Sequence, residues 1–497
     1  MKPLEDTGRI KSLVFPEIRE VIFGRVTKAT IDNELMYYAV IDQAHLYALY
    51  MQGVVPLETV KILISTIRNW VGEEFASFQN LEAVRGVYLL YERALIEEHG
   101  VDVGGVLQTG RSRNDLNATV MRLRLRGVYE EVLSAGFEFA KSLTERANVL
   151  REVLFPAYTH YQTAFPTTVG HYLAAIAVRL ERDLEYLENA FEAIDTCPLG
   201  CGAGGGTSIP IDAEWTANTL GFSACAENSI DAVASRDLIL RVLSSAAVLS
   251  VTLTRMTTDI ALWSTNEFNL VKLPDELVGS SSNMPQKRNP FLLEHMKGMS
   301  AAIISASNTA LTCSLGTPFG NSVTVSGEAT RHVWEGCRLL KEMLMIVTYT
   351  VRYAEFNEAR AKEVIEKGYA DSVYLAEKSV LEDKIPFRLA HERVGEMVRQ
   401  ASLQGVSLQE VSPATVVGLV DGNPPEKCIE KAVRSMKYGA GTGVTLLSED
   451  RFLNSVNSTR QRLEEKVSRR VHRWLDAKKS LDQLIDRLHL KNGNSGR

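Results

Sequence analysis

Residues 230–263 read IDAVASRDLILRVLSSAAVLSVTLTRMTTDIALW, a stretch in which apolar residues and small Ala and Ser predominate. It contains no proline and no glycine, the two residues that most strongly interrupt helices. At 1.5 Å per residue it predicts one helix about 50 Å long. A helix that is apolar on most of its circumference must be surrounded by other helices. We therefore predict a long helical bundle at the centre of the fold, shared between subunits.

Proline placement extends this prediction along the chain. No proline lies between Leu57 and Phe155, between Ile211 and Leu273, or between Phe319 and Ile385. Such gaps permit several long helices, and neither the alternation typical of strands nor a βαβ rhythm is evident. The predicted fold class is mainly α.

Changes of composition divide the chain into three predicted domains. Residues 1–110 form an N-terminal helical domain, residues 111–360 the long-helix bundle, and residues 361–497 a C-terminal helical domain. Within the last of these, residues 460–489 place apolar side chains at helical spacing among many charges. That pattern predicts an amphipathic surface helix.

Composition excludes several classes of protein. The 497 residues carry 55 Lys+Arg and 61 Asp+Glu, a net charge of −6, which argues against nucleic acid or a membrane surface as partner. No run of about 20 apolar residues predicts a transmembrane helix. The N-terminus MKPLEDTGRIK lacks the apolar core of a signal peptide, and six cysteines are too few for a disulfide framework. We expect a cytoplasmic protein with reduced thiols.

A glycine-rich loop resembles a nucleotide-binding motif only superficially. Residues 200–205, GCGAGG, satisfy G-x-G-x-x-G, but a predicted helix precedes them and no βαβ unit surrounds them. We interpret the loop as a turn that another backbone segment approaches closely.

A first polar segment, TGRSRND at residues 109–115, precedes a predicted helix. Arginine presents a planar fork suited to carboxylates, and Ser and Asn add neutral donors. The alternative interpretation is a solvated helix start capped by Ser112 or Asn114.

A second segment, THYQ at residues 159–162, places His160 beside a hydroxyl and near an amide. It could serve acid–base chemistry, although a single histidine is more often structural. A third segment, GSSSNMPQKRNP at residues 279–290, combines hydroxyls, cations and backbone donors in one loop. Such a loop can supply a base and a carboxylate clamp and can close over substrate, or it can be a mobile surface loop.

Together the three segments resemble the signature segments of the fumarase/aspartase superfamily, and within it those of argininosuccinate lyases. TGRSRND is similar to the first, YTHYQTAFP to the second and SSSNMPQKRNP to the third. Further agreement comes from PLGCGAGGGTSIPID, ASRD and PFRLAHERVGEMV, so the resemblance spans roughly residues 30–445. It implies a three-domain fumarase/aspartase-like fold and a homotetramer whose active sites each combine three subunits. It implies cleavage of a succinyl–amine compound to fumarate, without metal, nucleotide or flavin.

The resemblance also implies roles for individual residues. Ser281 would be the general base, acting as an alkoxide, with Ser282 as the alternative because the loop carries one residue more than usual. Lys287 would hold carboxylate groups of the fumaryl part, and His160 would protonate the leaving amine or orient the substrate. Substrate-binding roles fall on Ser112, Arg113, Asn114, Thr159, Gln162, Arg236, Asn289 and Glu328.

Departures from the argininosuccinate lyase pattern bear on the substrate. If Asn321 is the Asn of the Tyr-Asn-x-Asp-x-Gln-x-Asp-Lys stretch, then Gly320, Val325 and Glu328 replace its Tyr, Gln and Lys. Phe165 likewise stands where Gln is usual in the second segment. Because a cationic contact becomes anionic, we expect an N-substituted aspartate other than argininosuccinate, with Glu328 selecting a cationic amine. The alternatives are an argininosuccinate lyase with an unusual recognition strip, a non-catalytic homologue, and elimination of nitrite or another small group.

Overall fold

The computed structural model describes residues 14–83, 85–408, 410–411, 428–438 and 451–490. Five long helices pack side by side at its centre and enclose the largest hydrophobic cluster of the chain. The mainly α, long-bundle fold predicted from the sequence is confirmed. The bundle helices are α7 (Arg113–Val149), α8 (Val169–Ala190), α11 (Asp237–Trp263), α12 (Phe291–Ser314) and α13 (Val333–Tyr353).

The prediction of one uninterrupted helix over residues 230–263 is wrong. Helix α10 (Ser229–Ala234) ends at Ser235, whose backbone is extended, and α11 begins only at Asp237. The Ser235 hydroxyl donates to the Asp237 carboxylate over 2.8 Å. Short polar side chains of this kind compete with helical backbone bonds, and a carboxylate favours the first turn of a new helix. The interruption leaves Arg236 between two helices.

Helix α11 is, among the residues described, the one helix long and apolar enough to cross a membrane by length and composition. It is not an unbroken run of about 20 apolar residues, because Arg241, Arg255 and Asp259 interrupt it, so the sequence prediction is not contradicted. Half of its most apolar window is buried inside the bundle. Since the core helix of a helical bundle meets the same criterion, we assign α11 to the bundle core.

Shorter helices before the bundle form a second hydrophobic cluster. Tyr38, Trp70, Phe75 and Tyr91 meet there through edge-on and tilted ring contacts. This region also contains a single turn of 3-10 helix, Ala76–Phe78, and a single turn of π-helix, Ile31–Leu35. The helices are α1 (Pro16–Ile22), α2 (Lys28–Thr30), α3 (Met36–Met51), α4 (Leu57–Gly72), α5 (Val87–His99) and α6 (Val101–Gly104).

An antiparallel hairpin, β1 (Leu154–Thr159) and β2 (Gln162–Thr168), lies at one end of the bundle, where Phe155 packs edge-on against Trp263. The sequence did not predict it, because each strand carries a proline and proline argues against a strand interior. Here Pro156 and Pro166 are register partners. The remaining strands are two residues long: β3 (Thr196–Cys197) pairs with β4 (Ala224–Cys225), and β5 (Val271–Lys272) with β6 (Glu355–Phe356).

The C-terminal part ends in the longest helix described, which confirms the predicted amphipathic helix and extends it. Its apolar side chains Leu463, Val467 and Trp474 pack on the bundle, whereas Leu481 and Leu488 belong to the N-terminal cluster. The domain boundaries at residues 110 and 360 stay a prediction. The helices outside the bundle are α9 (Ala213–Thr219), α14 (Glu358–Lys367), α15 (Ser372–Glu382), α16 (Phe387–Gln404), α17 (Cys428–Ser435) and α18 (Arg451–Leu490).

Candidate active site

Two clusters of predicted site residues lie at opposite ends of α11. Arg236 immediately precedes its first residue. At its other end, His160 lines a cavity of about 650 Å³ with Leu262, and Lys287 lines a cleft of about 480 Å³ with Ala261. A helix of 27 residues is about 40 Å long, so one chain does not bring all predicted site residues together.

The first segment, TGRSRND, opens helix α7. Ser112 is the N-cap, and its hydroxyl accepts from the backbone N–H of Asn114 at 3.3 Å. The interpretation of Ser112 as a helix cap is therefore confirmed. Arg113 is exposed and donates to the carbonyl of Arg85 at 3.2 Å. Arg111, in contrast, points into the protein and pairs with Asp42, so it is not available to a ligand.

A carboxylate that the sequence analysis did not single out holds the glycine-rich loop against this segment. Buried Asp115 accepts from the backbone N–H of Gly200 at 3.0 Å and of Gly202 at 2.9 Å. Burial raises the pKa of Asp115, and these backbone donors oppose the shift. Gly202 has φ +60°, and a Cβ there would lie 2.7 Å from the carbonyl oxygen of Gly206. The close approach at Gly202 is therefore made by the backbone of the same loop, and approach by another backbone segment stays a prediction.

A chain of side-chain hydrogen bonds joins residues of three separate segments at this end of the bundle. Asn321 Nδ2 donates to Asn114 Oδ1 at 2.9 Å. Arg236 Nη2 in turn donates to Asn321 Oδ1 at 3.5 Å. Asn114 and Arg236 therefore lie in one polar cluster, and Asn321 bridges them.

Arg236 is a buried cation without a carboxylate partner among the residues described. Its guanidinium donates instead to the carbonyl oxygens of Val233 and Ser235. Burial, reinforced by the neighbouring cation of Arg122, lowers the pKa of Arg236 to about 10. Arg122 is itself buried, and the sequence analysis did not single it out. Two buried arginines favour an anion at this position, because an unpaired buried charge is costly.

The third segment is a loop closed at its base. Gly279 and Asn289 exchange two backbone hydrogen bonds of 2.8 Å, so Asn289 has a fixed backbone position. Arg288 is tied down by an ion pair with Asp275 and by a 2.7 Å bond to the carbonyl of Leu273. Lys287 is exposed and has no carboxylate partner among the described residues.

Within this loop the hydroxyl of Ser281 is surrounded by backbone donors. Ser281 Oγ accepts from the N–H of Asn283 at 3.3 Å and of Met284 at 3.0 Å. Ser281 is half-buried, whereas Ser282 is exposed. Donors directed at an oxygen favour its charged form.

The second segment forms the tip of the hairpin. Thr159 and Gln162 are register partners, so His160 and Tyr161 make a two-residue turn with φ values of 52° and 63°. Such turns normally use Asn and Gly, because other residues are strained at positive φ. All four side chains are exposed in the single chain. Strain of this kind concentrates at functional sites.

Glu328 lies in a turn of π-helix, Thr324–Glu328, near Asn321. Its carboxylate pairs with Arg331 Nη2 at 2.7 Å, one turn further along the chain. The cationic partner of Glu328 is therefore present in the chain itself. In the described part of the chain, no group of three His, Cys, Asp or Glu side chains could hold a metal ion.

Comparisons with known proteins show the family of the chain. A family model described as Lyase matches residues 73–305. The chain is 33% identical to the argininosuccinate lyase of Methanocorpusculum labreanum over 86% of its own length and 85% of that enzyme. It is 34% identical to the argininosuccinate lyase of Methanothrix thermoacetophila over 76% of each chain. The chain belongs to the argininosuccinate lyase family of the fumarase/aspartase superfamily. As a member of this family it is a carbon–nitrogen lyase that releases fumarate.

Solved structures show the same fold. A variant of EDDS lyase with bound fumarate superposes with a TM-score of 0.84 at 24% identity, covering 98% of this chain and 99% of that one. A class II fumarase from Schistosoma mansoni superposes with a TM-score of 0.65 at 18% identity, covering 79% and 89%. The fumarase/aspartase-like architecture of this argininosuccinate lyase family member is thereby confirmed.

Proposed function

We propose that this lyase cleaves an N-substituted aspartate by β-elimination, with Ser281 as the general base. The Ser281 alkoxide removes a proton from the carbon beside the carboxylate remote from the nitrogen. The resulting electron pair forms the double bond of fumarate while the C–N bond breaks. The nitrogen leaves as an amine after it gains a proton.

The observation that carries this proposal is the pair of backbone donors on Ser281 Oγ. The N–H groups of Asn283 and Met284 lie 3.3 and 3.0 Å from that oxygen. They stabilise the alkoxide relative to the hydroxyl and so lower the cost of ionising it. The exposed Ser282 is the weaker candidate for the base.

Removal of the proton places additional negative charge on the adjacent carboxylate, and the site must stabilise it. Lys287 and Asn289 flank the loop and supply a cation and an amide for this purpose. Asn114 and the buried cation Arg236 form a second polar cluster suited to a carboxylate. Ser112 of the same chain and Thr159 of another subunit are proposed to add hydroxyls to it. Arg113 and Gln162 are assigned supporting contacts to the substrate.

His160 is proposed to deliver the proton to the leaving amine. Its exposed position at the strained hairpin tip suits a group that reaches into a site formed by another subunit. An imidazolium ring can donate a proton from one of its ring nitrogens, which suits the role of a general acid.

We further propose that the protein is a homotetramer and that each site combines residues of three subunits. The separation of about 40 Å between the two ends of α11 supports this, because Arg236 and Lys287 of one chain cannot contact one small substrate. The exposed Thr159–Gln162 tip, in turn, needs a partner surface. We also propose a cytoplasmic location, which the six free cysteines of the chain support.

The proposal is tested by measuring fumarate release through its ultraviolet absorbance. The substrates are argininosuccinate, nitrosuccinate and several N-substituted aspartates, and the proteins are wild type, Ser281→Ala and the matched control Ser282→Ala. We expect release from at least one N-substituted aspartate, lost in Ser281→Ala and retained in Ser282→Ala. Loss only in Ser282→Ala would move the base by one residue. Retention in both variants would contradict a serine base on this loop.

Argininosuccinate itself is the second candidate substrate. The relatives that match over more than three quarters of this chain carry the name argininosuccinate lyase, which favours it. The replacement of the cationic position by Glu328 argues against it. In the same assay, turnover of argininosuccinate at about 1 to 10³ per second, the usual range for metabolic enzymes, would decide for this candidate.

A further inference from the structure

We infer that Cys197 and Cys225 form a reversible disulfide when the folded protein meets an oxidant. The two residues are register partners of the parallel strands β3 and β4. Neighbouring strands lie about 4.7–4.9 Å apart, and register partners project their side chains to the same face of the sheet. Disulfides join Cα atoms that are about 4.4–6.8 Å apart, so the backbone already holds this pair within reach.

Hydrogen bonds hold the two strands on both sides of the cysteine pair. The backbone N–H of Ala226 donates to the carbonyl oxygen of Cys197 at 2.9 Å. The backbone N–H of Ser223 donates to the carbonyl oxygen of Asp195, also at 2.9 Å. Trp474 Nε1 donates to the Asp195 carboxylate at 3.0 Å and so ties the start of this region to helix α18. The register that places the two thiols side by side is therefore fixed.

The two thiols differ in their access to solvent. Cys197 is fully buried, whereas Cys225 is half-buried. Both side chains pack in the N-terminal cluster, as expected for register partners. Burial raises the pKa of Cys197 to about 12, although a backbone N–H and two nearby arginine cations oppose the shift. An oxidant in solution therefore reaches Cys225 first, and Cys197 reacts only with its neighbour.

A third cysteine, Cys201, lies nearby but is placed less well. Burial raises its pKa to about 11, and Cys225 is near enough to add to that shift. Cys201 follows the strand, in a turn where its N–H donates to the carbonyl oxygen of Pro198 at 3.1 Å. Its side chain packs around Val233 in a separate small cluster. Cys197 is therefore the better partner for Cys225.

The chemistry is thiol–disulfide exchange with a small disulfide such as oxidised glutathione. The Cys225 thiolate attacks one sulfur of the reagent, so that a mixed disulfide forms and one glutathione thiolate leaves. Cys197 then loses its proton, and its sulfur attacks the Cys225 sulfur and expels the second glutathione thiolate. The two cysteines lose two electrons, which the reagent gains, and the leaving thiolates take up the two protons. In a reducing compartment such a link is transient, and excess thiol reverses both steps.

The link joins two chain segments that lead into the proposed carboxylate cluster. Gly200, whose N–H donates to Asp115, follows shortly after Cys197. Arg236 follows Cys225 beyond the short helix α10. Oxidation therefore acts on the backbone behind the cluster and not on a residue assigned to the substrate. The inference does not depend on the proposed function, because the exchange needs only the two thiols.

The test treats the reduced full-length protein with oxidised glutathione, alkylates the remaining thiols and cleaves the chain after glutamate. This cleavage separates residues 193–214, with Cys197 and Cys201, from residues 215–227, with Cys225. We expect mass spectrometry to find the two peptides joined by a disulfide, and dithiothreitol to separate them. Two unlinked peptides, or a stable glutathione adduct on Cys225, would overturn the inference.

Four variants identify the partner of Cys225. The link should be lost in Cys225→Ser and in Cys197→Ala. It should be kept in Cys201→Ala and in Cys313→Ser, which alters the other half-buried cysteine. Loss in Cys201→Ala together with retention in Cys197→Ala would make Cys201 the partner and the inference wrong.

A count of released thiol needs no substitution of the buried Cys197. Ellman's reagent is an aromatic disulfide, and the adduct that it forms on Cys225 should be displaced by the neighbouring thiol. Cys225→Ser should therefore release about two equivalents of aromatic thiol fewer than wild type, and the control Cys313→Ser at most about one fewer. A difference of about one equivalent or less in Cys225→Ser would contradict exchange with a second cysteine.

Discussion

Arg111 Nη2 lies 2.5 Å from Asp42 Oδ1, and both side chains are fully buried. The same guanidinium is not open to a ligand from outside, because it also donates to the Tyr88 hydroxyl at 2.6 Å. This ion pair fixes the position of Arg111, the residue that directly precedes Ser112. The first arginine of TGRSRND is therefore an anchor behind the proposed carboxylate cluster, and only Arg113 reaches the surface.

Removal of Asp42 should destabilise the protein strongly. Asp42→Ala leaves the Arg111 cation buried without a carboxylate, which costs about 3–5 kcal/mol in comparable cases. Denaturant unfolding of wild type and variant measures the difference. The control is Asp486→Ala, which removes an exposed ion pair with Arg68 and should cost less than about 1 kcal/mol. Equal losses in the two variants would contradict an anchoring role for Asp42.

His45 should make stability depend on pH. Its Nε2 lies 2.9 Å from the carbonyl oxygen of Thr109. Burial, and then the nearby Arg111 cation, lower the pKa of His45 well below its usual value near 6.5. The unfolded chain thus binds a proton that the folded chain does not, so stability falls as pH drops below about 6.5.

Thermal unfolding between about pH 7 and pH 5 checks this sign. One proton contributes at most about 1.4 kcal/mol per pH unit, and His45→Gln should remove that contribution from the slope. His295→Gln changes an exposed histidine and should leave the slope as in wild type. A wild-type slope in His45→Gln would assign the effect to other groups.

Sequence patterns predicted the features that depend on neighbouring residues. The bundle and the amphipathic helix follow from apolar spacing, and the Ser112 cap follows from local chemistry. The β1–β2 hairpin was missed because Pro156 and Pro166 argue against strands when taken singly. The two prolines are register partners across the hairpin, and in this pairing both occupy positions that the strands tolerate.

Features that depend on residues distant in the chain could not be predicted in this way. The spacing of TGRSRND does not reveal that Arg111 forms an ion pair with Asp42. It also does not reveal that Asp115 accepts hydrogen bonds from the backbone of Gly200 and Gly202. The interruption at Ser235 was also missed, because serine is only mildly unfavourable within a helix. The available sequence signal for this interruption was Asp237, two residues after that serine, because a carboxylate favours the first turn of a new helix.

The glycine-rich loop offers a matched pair of substitutions. Gly202→Ala forces a Cβ to within 2.7 Å of the Gly206 carbonyl oxygen at φ +60°, whereas a Cβ at Gly205 meets no atom within 4 Å. We expect Gly202→Ala to cost at least about 1–2 kcal/mol from the left-handed backbone alone. Gly205→Ala should be nearly neutral. Unfolding midpoints of the two variants measure this, and equal midpoints would contradict the close approach.

Backbone strain at the hairpin tip should lower the stability of the chain. Tyr161 has φ 63°, which glycine adopts freely and tyrosine does not. Tyr161→Gly should therefore stabilise the chain by roughly 1 kcal/mol, while Tyr161→Ala, which keeps the strained backbone, should not. Differential scanning calorimetry distinguishes them. A lower melting temperature in Tyr161→Gly would show that the phenol contributes more packing than the turn costs.

Shared active sites predict complementation between inactive variants. If Asn114 and Ser281 of one site come from different subunits, Asn114→Ala and Ser281→Ala homotetramers are both inactive. Refolding them together in equal amounts should restore about one quarter of the sites, since each position is intact in half of the subunits. The measurement is fumarate release per milligram of the mixed tetramer. Activity no higher than that of the two parents would contradict sites shared between subunits.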